Sequence, residues 1–251
     1  MRLWVHIAKR IGVWPFSLIP VELLRPLLRA WFAGKAFHQS PPIALRTLFA
    51  IEDDARQFLD VAAIRLDKGA HPKHRLTGYH AFFAHKLEQG QTVLDVGCGT
   101  GEVSADLAKR AGVKVIGVDC NAEAIAAANL RHMQPELAFH HANILDWTPP
   151  SSIDVVILSN ILEHIDQRVA LLRRLQSFCP AASFLIRVPS IEREWTVPLR
   201  TELGLFAYSD PTHYVEYTPE TLARELEEAG LFVRQQELRW AEIWVEAKPA
   251  L

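Results

Sequence analysis

The sequence predicts an α/β fold, with a seven-stranded, mostly parallel sheet, helices on both faces and a C-terminal antiparallel hairpin. Two observations indicate it. From residue 93 onward, apolar runs of strand character alternate with segments of helical periodicity, as in parallel strands joined by crossover helices. The last two apolar runs, 231–238 and 241–247, are separated by a turn too short for a crossover helix, so we expect them to pair antiparallel.

Residues 1–70 are predicted to form a helical extension that precedes an α/β domain over 71–251. The first 40 residues contain six basic side chains and one acid, and leucine, tryptophan and phenylalanine recur at helical spacing from 24 to 32. Pro26 is compatible with this helix if it lies in the first turn. The basic, apolar face of residues 1–38 suits peripheral contact with a membrane, and it also suits packing on the domain or on a second copy in a homodimer.

The composition narrows the classes of protein to be considered. The chain has 251 residues and a formal net charge of -2, which gives no general reason to expect a nucleic-acid partner. Its three cysteines lack a Cys-x-x-Cys pair, so we expect no disulfide framework, no zinc site and a cytoplasmic location. We expect no membrane-spanning run and no signal peptide. The histidines from 71 to 85 lack a companion carboxylate or cysteine at ligand spacing, and we expect no bound metal.

The remaining elements follow in order from apolar periodicity and from end signals. Thr218 and Pro219 mark a helix start, and Gly230 marks the end of that helix. The predicted strands cover 93–96, 115–119, 137–141, 153–160, 183–188, 231–238 and 241–247, and the predicted helices cover 43–68, 104–111, 122–131, 167–178 and 219–229.

The segment from Val93 to Glu102 predicts a cofactor site. A strand runs into three glycines at alternate positions, 97, 99 and 101, and a helix follows. Glycine lets the backbone approach a ligand closely, and a helix start offers free N–H groups. The next strand ends on Asp119, which is where a βαβ unit usually holds the two hydroxyls of a ribose.

Residues 95–101, Asp-Val-Gly-Cys-Gly-Thr-Gly, resemble motif I of the class I S-adenosylmethionine-dependent methyltransferases. The resemblance covers about residues 85–248 and implies a Rossmann-like fold and S-adenosyl-L-methionine as cofactor. An NAD(P)-dependent oxidoreductase is the alternative, but Glu102 occupies the position of its third glycine, and the terminal hairpin is also against it. A non-catalytic, cofactor-binding or membrane-associated protein is a third possibility.

The resemblance also implies which residues bind the cofactor. The glycine loop would contact the methionine portion and the ribose, the Asn143 loop the adenine, and Tyr79 or Arg75 the methionine carboxylate. Ser159 and Asn160 end the strand that would lie beside the sulfonium. The predicted cofactor residues are Asp95, Gly97, Cys98, Gly99, Thr100, Gly101, Asp119, Cys120, Asn143, Ile144, Ser159, Asn160 and Tyr79.

Candidate residues for the methyl acceptor follow the fourth and fifth strands. Glu163 and His164 open the segment after Asn160, where they either orient a substrate or cap a helix. Residues 189–218 form a long segment rich in aromatic and ionisable groups, which is typical of a substrate loop. In this loop His213 is the candidate general base, because imidazole titrates near neutrality; the alternative is a histidine fixed in a turn. The expected acceptor is a small molecule, a sugar or a lipid-linked compound.

Overall fold

The computed structural model describes residues 18–180 and 182–250. The strands are β1 (Thr92–Val96), β2 (Lys114–Asp119), β3 (Leu137–His141), β4 (Val155–Ser159), β5 (Ser183–Pro189), β6 (Leu231–Arg239) and β7 (Glu242–Pro249). The α-helices are α1 (Val21–His38), α2 (Pro41–Leu66), α3 (Lys73–Leu76), α4 (Tyr79–Ala84), α5 (Glu102–Ala111), α6 (Ala122–Arg131), α7 (Arg168–Phe178), α8 (Thr196–Glu202) and α9 (Pro219–Glu228). A 3₁₀ turn covers Leu162–His164.

The seven strands of the described residues form one sheet in the order β3-β2-β1-β4-β5-β7-β6. The first five of these pair in parallel, whereas β7 pairs antiparallel with both β5 and β6. The strand order reverses between β1 and β4. Open α/β sheets bind ligands in the crevice at the carboxyl ends of such strands. The predicted fold class is confirmed, and it places the end of β1 beside the end of β4.

Two apolar clusters cover the opposite faces of the sheet. One contains side chains of α7 and α9, such as Leu172, and the other contains side chains of α4 and α5, such as Phe83. Neighbouring residues of β1 divide between them, with Leu94 in the first cluster and Val93 in the second. The inner strands are buried on both faces, which explains why their sequences are nearly continuous apolar runs.

The chain divides into two compact units between Ala62 and Ala63. In the first unit α1 begins directly after Pro20, so Pro26 lies in its second turn and not in the first. The condition stated for Pro26 is therefore not met, and because proline has no N–H, one helical hydrogen bond of α1 is unformed. The predicted extension also includes residues 1–17, which lie outside the described residues. None of the helices in the described ranges is both long and apolar enough to cross a membrane.

Two segments near the carboxyl ends of β4 and β5 differ from the predicted elements. The segment that opens the predicted helix after β4 is a separate 3₁₀ turn, because Ile165 is extended and interrupts the helical path before α7. The predicted loop 189–218 contains α8, and its two ends meet in a parallel bridge between Ser190 and Tyr217. The bridge joins the base of the loop directly after β5, at the edge of the sheet where ligands are expected.

Candidate functional site

The loop between β1 and α5 is built from glycines in the left-handed region. Gly97, Gly99 and Gly101 have φ values of 70°, 55° and 84°. At Gly97 an added Cβ would come within 2.0 Å of the Ile161 side chain, which would have to shift, and the left-handed backbone itself favours glycine. At Gly99 an added Cβ would meet no described atom within 4 Å. The loop therefore faces open space at its centre, as a ligand-binding turn requires.

Asp119, at the end of β2, holds this loop in place. Its Oδ2 accepts the Gly99 N–H at 2.9 Å, and its Oδ1 accepts the Asn121 N–H at 2.8 Å. A carboxylate has about four acceptor positions, so both oxygens can still accept hydrogen bonds from a ligand. The acid predicted to bind a ribose therefore lies directly against the glycine loop.

A cavity of about 220 Å³ adjoins the glycine loop. Eight of the predicted cofactor residues line it: Asp95, Gly97, Cys98, Gly99, Thr100, Ser159, Asn160 and Tyr79. The other five, Gly101, Asp119, Cys120, Asn143 and Ile144, are not part of its lining. Asn143 closes a turn by accepting the Leu145 N–H at 3.0 Å, and Ile144 is buried in the core. Arg75 is also absent from the lining and pairs with Asp67 instead.

Asp95 is a buried carboxyl group in the wall of this cavity. It is 2% exposed, and its Oδ2 accepts the Ser104 hydroxyl at 2.5 Å. Burial raises the pKa of Asp95 to about 7, and the hydrogen bond from Ser104 offsets only part of this effect.

The raised pKa of Asp95 predicts how the stability of the protein changes with pH. A carboxyl group with a raised pKa stabilises the folded protein at low pH, and that contribution is lost as pH rises through its folded pKa of about 7. Between pH 5 and pH 8, the free energy of unfolding measured in urea should fall by roughly 2 kcal/mol more for the wild type than for Asp95→Asn. His74 and His80, whose pKa values are lowered, are present in both proteins, so their contributions to the pH dependence of stability cancel in this comparison. Parallel pH profiles for the two proteins would contradict this assignment.

Arg187 on β5 is a cavity residue that was not predicted. Its guanidinium carbon lies 3.7 Å from the centre of the Tyr79 ring, its Nε donates to Ser159 Oγ at 3.1 Å, and its Nη1 donates to Glu242 at 3.2 Å. The residue is only 3% exposed. A charged residue inside the apolar run 183–188 was the sequence signal, because buried arginine is rare unless it is paired.

Tyr79 is fixed from its hydroxyl end as well. The Tyr79 hydroxyl lies 2.5 Å from His74 Nδ1, which lies 3.0 Å from His80 Nε2, and His80 Nδ1 lies 2.9 Å from Asp106. Burial, followed by the neighbouring His80, lowers the pKa of His74 to about 4. These neutral rings hold α3 and α4 against the cavity.

A second cluster forms where the 3₁₀ turn meets the loop after β5. One carboxylate oxygen of Glu163 and one ring nitrogen each of His164 and His213 lie within 4.8 Å of one another. Glu163 is 1% exposed, and neither of its carboxylate oxygens has a hydrogen-bond partner among the described residues. Burial raises the pKa of Glu163 to about 7. The structure thus brings together the three residues that the sequence predicted to act on the methyl acceptor.

The His213 ring, with a side chain 6% exposed, is oriented by Glu216. His213 Nδ1 lies 3.0 Å from Glu216 Oε1, which also accepts the Ser209 N–H at 2.5 Å, and Arg193 pairs with the other oxygen. Burial opposes ionisation of Glu216, but the hydrogen bonds from His213 and Ser209 hold its pKa below the usual value. Glu216 is therefore ionised near neutral pH. It was not singled out from the sequence because its partners lie on other parts of the loop.

The cavity fits the charged end of S-adenosylmethionine. Arg187 offers a guanidinium to a carboxylate, and Asp95 offers a carboxyl group to an ammonium. Asn160 Oδ1 is buried without a hydrogen-bond partner among the described residues, and so provides an unused acceptor in the same wall. Donors and acceptors are both present, as an amino-acid ligand requires.

Comparison with known proteins agrees with this fit. A family model described as a methyltransferase domain matches residues 69–236. The chain is 30% identical over 109 residues to a ubiquinone biosynthesis O-methyltransferase of Rhodopseudomonas palustris, covering 43% of this chain and 42% of that protein. It is 32% identical over 123 residues to a trans-aconitate 2-methyltransferase of Delftia acidovorans, covering 47% and 45%. The chain therefore spans less than half the length of these two relatives.

Solved structures show the same fold. A SAM-dependent methyltransferase from Aquifex aeolicus matches with a TM-score of 0.58 at 19% identity, over 79% of this chain and 98% of that one. Magnesium protoporphyrin IX methyltransferase from Synechocystis with bound SAH matches with a TM-score of 0.55 at 17% identity, over 69% and 81%. The methyltransferase-domain match covers more than half of the chain and confirms the predicted cofactor, S-adenosylmethionine. The chain belongs to the class I S-adenosylmethionine-dependent methyltransferases.

Proposed function

We propose that the protein transfers a methyl group from S-adenosylmethionine to an oxygen atom of a small-molecule acceptor. The cluster of Glu163, His164 and His213 carries this proposal, because it begins three residues after Asn160, a lining residue of the cofactor cavity. Two curated relatives are named as an O-methyltransferase and as a methyltransferase of trans-aconitate, and these names also favour a small acceptor.

The ribose, the carboxylate and the ammonium of the cofactor each have a proposed partner in the chain. The glycine loop and Asp119 would hold the ribose, Arg187 the carboxylate, and Asp95 with Asn160 the ammonium. When bound, the cofactor supplies a methyl group already activated by its sulfonium. The main task of the protein is then to orient the acceptor and exclude water, which contributes roughly 7–11 kcal/mol in well-oriented reactions.

In the metal-free protein, His213 activates the acceptor oxygen as a general base. Because the ionised Glu216 accepts a hydrogen bond from Nδ1, the proton of the neutral ring resides there and Nε2 carries a free lone pair. This lone pair takes the proton of an acceptor hydroxyl. The arrangement of base and orienting carboxylate recurs in enzymes that activate a hydroxyl group.

The direct test is transfer of a labelled methyl group. The full chain is incubated with methyl-labelled S-adenosylmethionine and a cell extract, which is then separated into small-molecule, glycan, lipid and protein pools. We expect label in the small-molecule pool, as a methyl ether or ester. Label only in protein or nucleic acid would contradict the proposal. Stabilisation by NADH without stabilisation by S-adenosylhomocysteine would favour the oxidoreductase alternative.

One prediction of the proposed function is that Arg187 binds the carboxylate of the cofactor. Arg187→Gln should weaken S-adenosylhomocysteine binding by about 10- to 100-fold, because charge-assisted contacts to the carboxylate are lost. The Arg187→Lys variant should fall between it and the wild type, since lysine keeps the charge but loses the planar fork. Adenosine, which lacks the amino-acid portion, is the matched ligand, and its affinity should not change. Equal losses for both ligands in calorimetry would show that Arg187 acts only through the fold.

The remaining sequence expectations concern organisation and location. We propose a domain over 71–251 with a substrate loop at 189–218, in a cytoplasmic protein whose first 38 residues contact a membrane surface or a second copy. Several apolar side chains of α1, including Leu27 and Phe37, are exposed beside Arg25 and Arg29, which supports an interfacial role.

The full chain should sediment with anionic vesicles, and Leu27→Ser should reduce the fraction of protein that sediments. Absence of the wild type from the vesicle pellet would contradict membrane contact.

A further inference from the structure

We propose that Glu163, His164 and His213 bind one divalent transition-metal cation, which holds the acceptor oxygen for methylation. The inference rests on the proposed function and deepens it, since it assigns the acceptor site a cation. Two imidazoles and one carboxylate form a ligand set suited to divalent transition metals such as Mn²⁺ or Zn²⁺. Three protein ligands leave at least one coordination position for a substrate oxygen.

The hydrogen bonds around the two rings leave the same nitrogen free on each. Thr212 donates its single hydroxyl proton to Asp210 at 2.5 Å, so its oxygen must accept the hydrogen bond of 2.9 Å from His164 Nδ1. His213 Nδ1 likewise donates to Glu216. In its neutral form each ring therefore carries its lone pair at Nε2. The ring centres lie 4.6 Å apart, at an interplanar angle of 72°.

Glu163 supplies the second observation that points to a ligand. Its side chain is enclosed at 1% exposure, yet neither carboxylate oxygen has a hydrogen-bond partner among the described residues. An ionised carboxylate that is buried without partners is costly, and a bound cation compensates that cost. The His164 and His213 rings each bring one nitrogen within 4.8 Å of a Glu163 carboxylate oxygen, yet neither ring forms a hydrogen bond with it. A bound cation would satisfy all three groups together.

The groups behind the two rings resemble the outer shell of a metal site. Ligating histidines usually donate their other ring N–H to a carboxylate, a carbonyl or water, which fixes the ring and raises its basicity. Here His213 is held by Glu216, and His164 is held by Thr212, which is itself bonded to Asp210. The Tyr214 N–H also donates to the Glu163 carbonyl oxygen at 2.8 Å, fastening the loop to the 3₁₀ turn. The ligands from two distant segments are thus preorganised.

The cation changes how the acceptor oxygen is activated. A hydroxyl group bound to a divalent cation loses its proton at lower pH than a free hydroxyl group. The acceptor O–H bond breaks and its proton passes to solvent. The oxygen then forms the bond to the methyl carbon, as the carbon–sulfur bond of the donor breaks and its electron pair stays on sulfur. In the cation-bound protein His213 is a metal ligand and not a general base, because its one lone pair at Nε2 binds either the cation or a proton.

Manganese titration tests the site directly. The full chain is treated with EDTA, desalted, and titrated with Mn²⁺ while the electron paramagnetic resonance signal of free Mn²⁺ is followed. We expect one Mn²⁺ bound per chain, and Glu163→Gln or His213→Gln should weaken binding by about 100-fold or more. The control is His85→Gln, an exposed histidine outside the cluster, which should bind as the wild type does. Calorimetry with S-adenosylhomocysteine checks that each variant retains a folded cofactor site.

The outcomes separate this inference from the proposed function. EDTA should lower methyl transfer by about tenfold or more, and Mn²⁺ should restore it. Equal Mn²⁺ binding by the wild type and both cluster variants would overturn the cation site. Methyl transfer to an oxygen at full rate in EDTA would also overturn it, while retaining the methyltransferase and leaving His213 as a general base. Mn²⁺ binding at the cluster with methyl transfer only to nitrogen would retain the site and contradict the proposed function.

Discussion

Replacing Asp119 with alanine is expected to weaken binding of S-adenosylhomocysteine by roughly 100-fold or more. Two ligand hydroxyls would lose a charged acceptor, and hydrogen bonds to charged groups are worth about 1.5–3 kcal/mol each. The combined loss corresponds to a roughly 100-fold or greater fall in affinity. The glycine loop would lose a support as well, because the Gly99 N–H donates to the same carboxylate. Isothermal titration calorimetry measures this directly.

The matched control is Glu136→Ala. Glu136 is an exposed acid just before β3, at the amino end of the strand next to β2, which is the edge of the sheet away from the site. Its removal alters the net charge as Asp119→Ala does, and it should leave the affinity unchanged. Wild-type affinity in Asp119→Ala would show that the ribose binds elsewhere.

Replacing His213 with alanine is expected to lower turnover by about 100-fold or more, because it removes the group that activates the acceptor oxygen. Affinity for S-adenosylhomocysteine should stay unchanged, since His213 does not line the cofactor cavity. Glu216 keeps its bonds to Ser209 and Arg193, so the loop retains its shape. The measurement is single-turnover transfer of labelled methyl at saturating cofactor.

His85→Ala serves as the control for this variant, because His85 is exposed at the end of α4. It should turn over at the wild-type rate. If His213→Ala also retains that rate, His213 has no part in activating the acceptor. If both turnover and cofactor affinity fall, the histidine supports the fold of the loop instead.

Features that depend on local sequence were predictable. The apolar runs that became β1 and β2 are buried on both faces, and hydrophobic patterning reports such burial directly. Gly97 was recognisable because it opens a run of alternate glycines directly after an apolar strand, and its backbone is left-handed in the structure. The terminal hairpin followed from the length of its turn. These signals are enough to identify the family.

Features that depend on distant contacts were not predictable in the same way. Glu163 and His213 are fifty residues apart, and the fold of the loop after β5, including its Ser190–Tyr217 bridge and the Tyr214 N–H bond to the Glu163 carbonyl, brings them together. The expectation of no metal was drawn from the spacing of neighbouring histidines, which contains no information about this loop. Arg187 was overlooked for a similar reason, since its partners Tyr79 and Glu242 lie on separate elements.

The most direct test of the central claim is a crystal structure of the full chain with S-adenosylhomocysteine. The claim is that the glycine loop, Asp119 and Arg187 together bind the cofactor. We expect the two ribose hydroxyls within hydrogen-bond distance of the Asp119 carboxylate, and the ligand carboxylate at the Arg187 guanidinium. Ligand density at any other edge of the sheet, with the cavity beside Gly99 filled by protein, would contradict the claim.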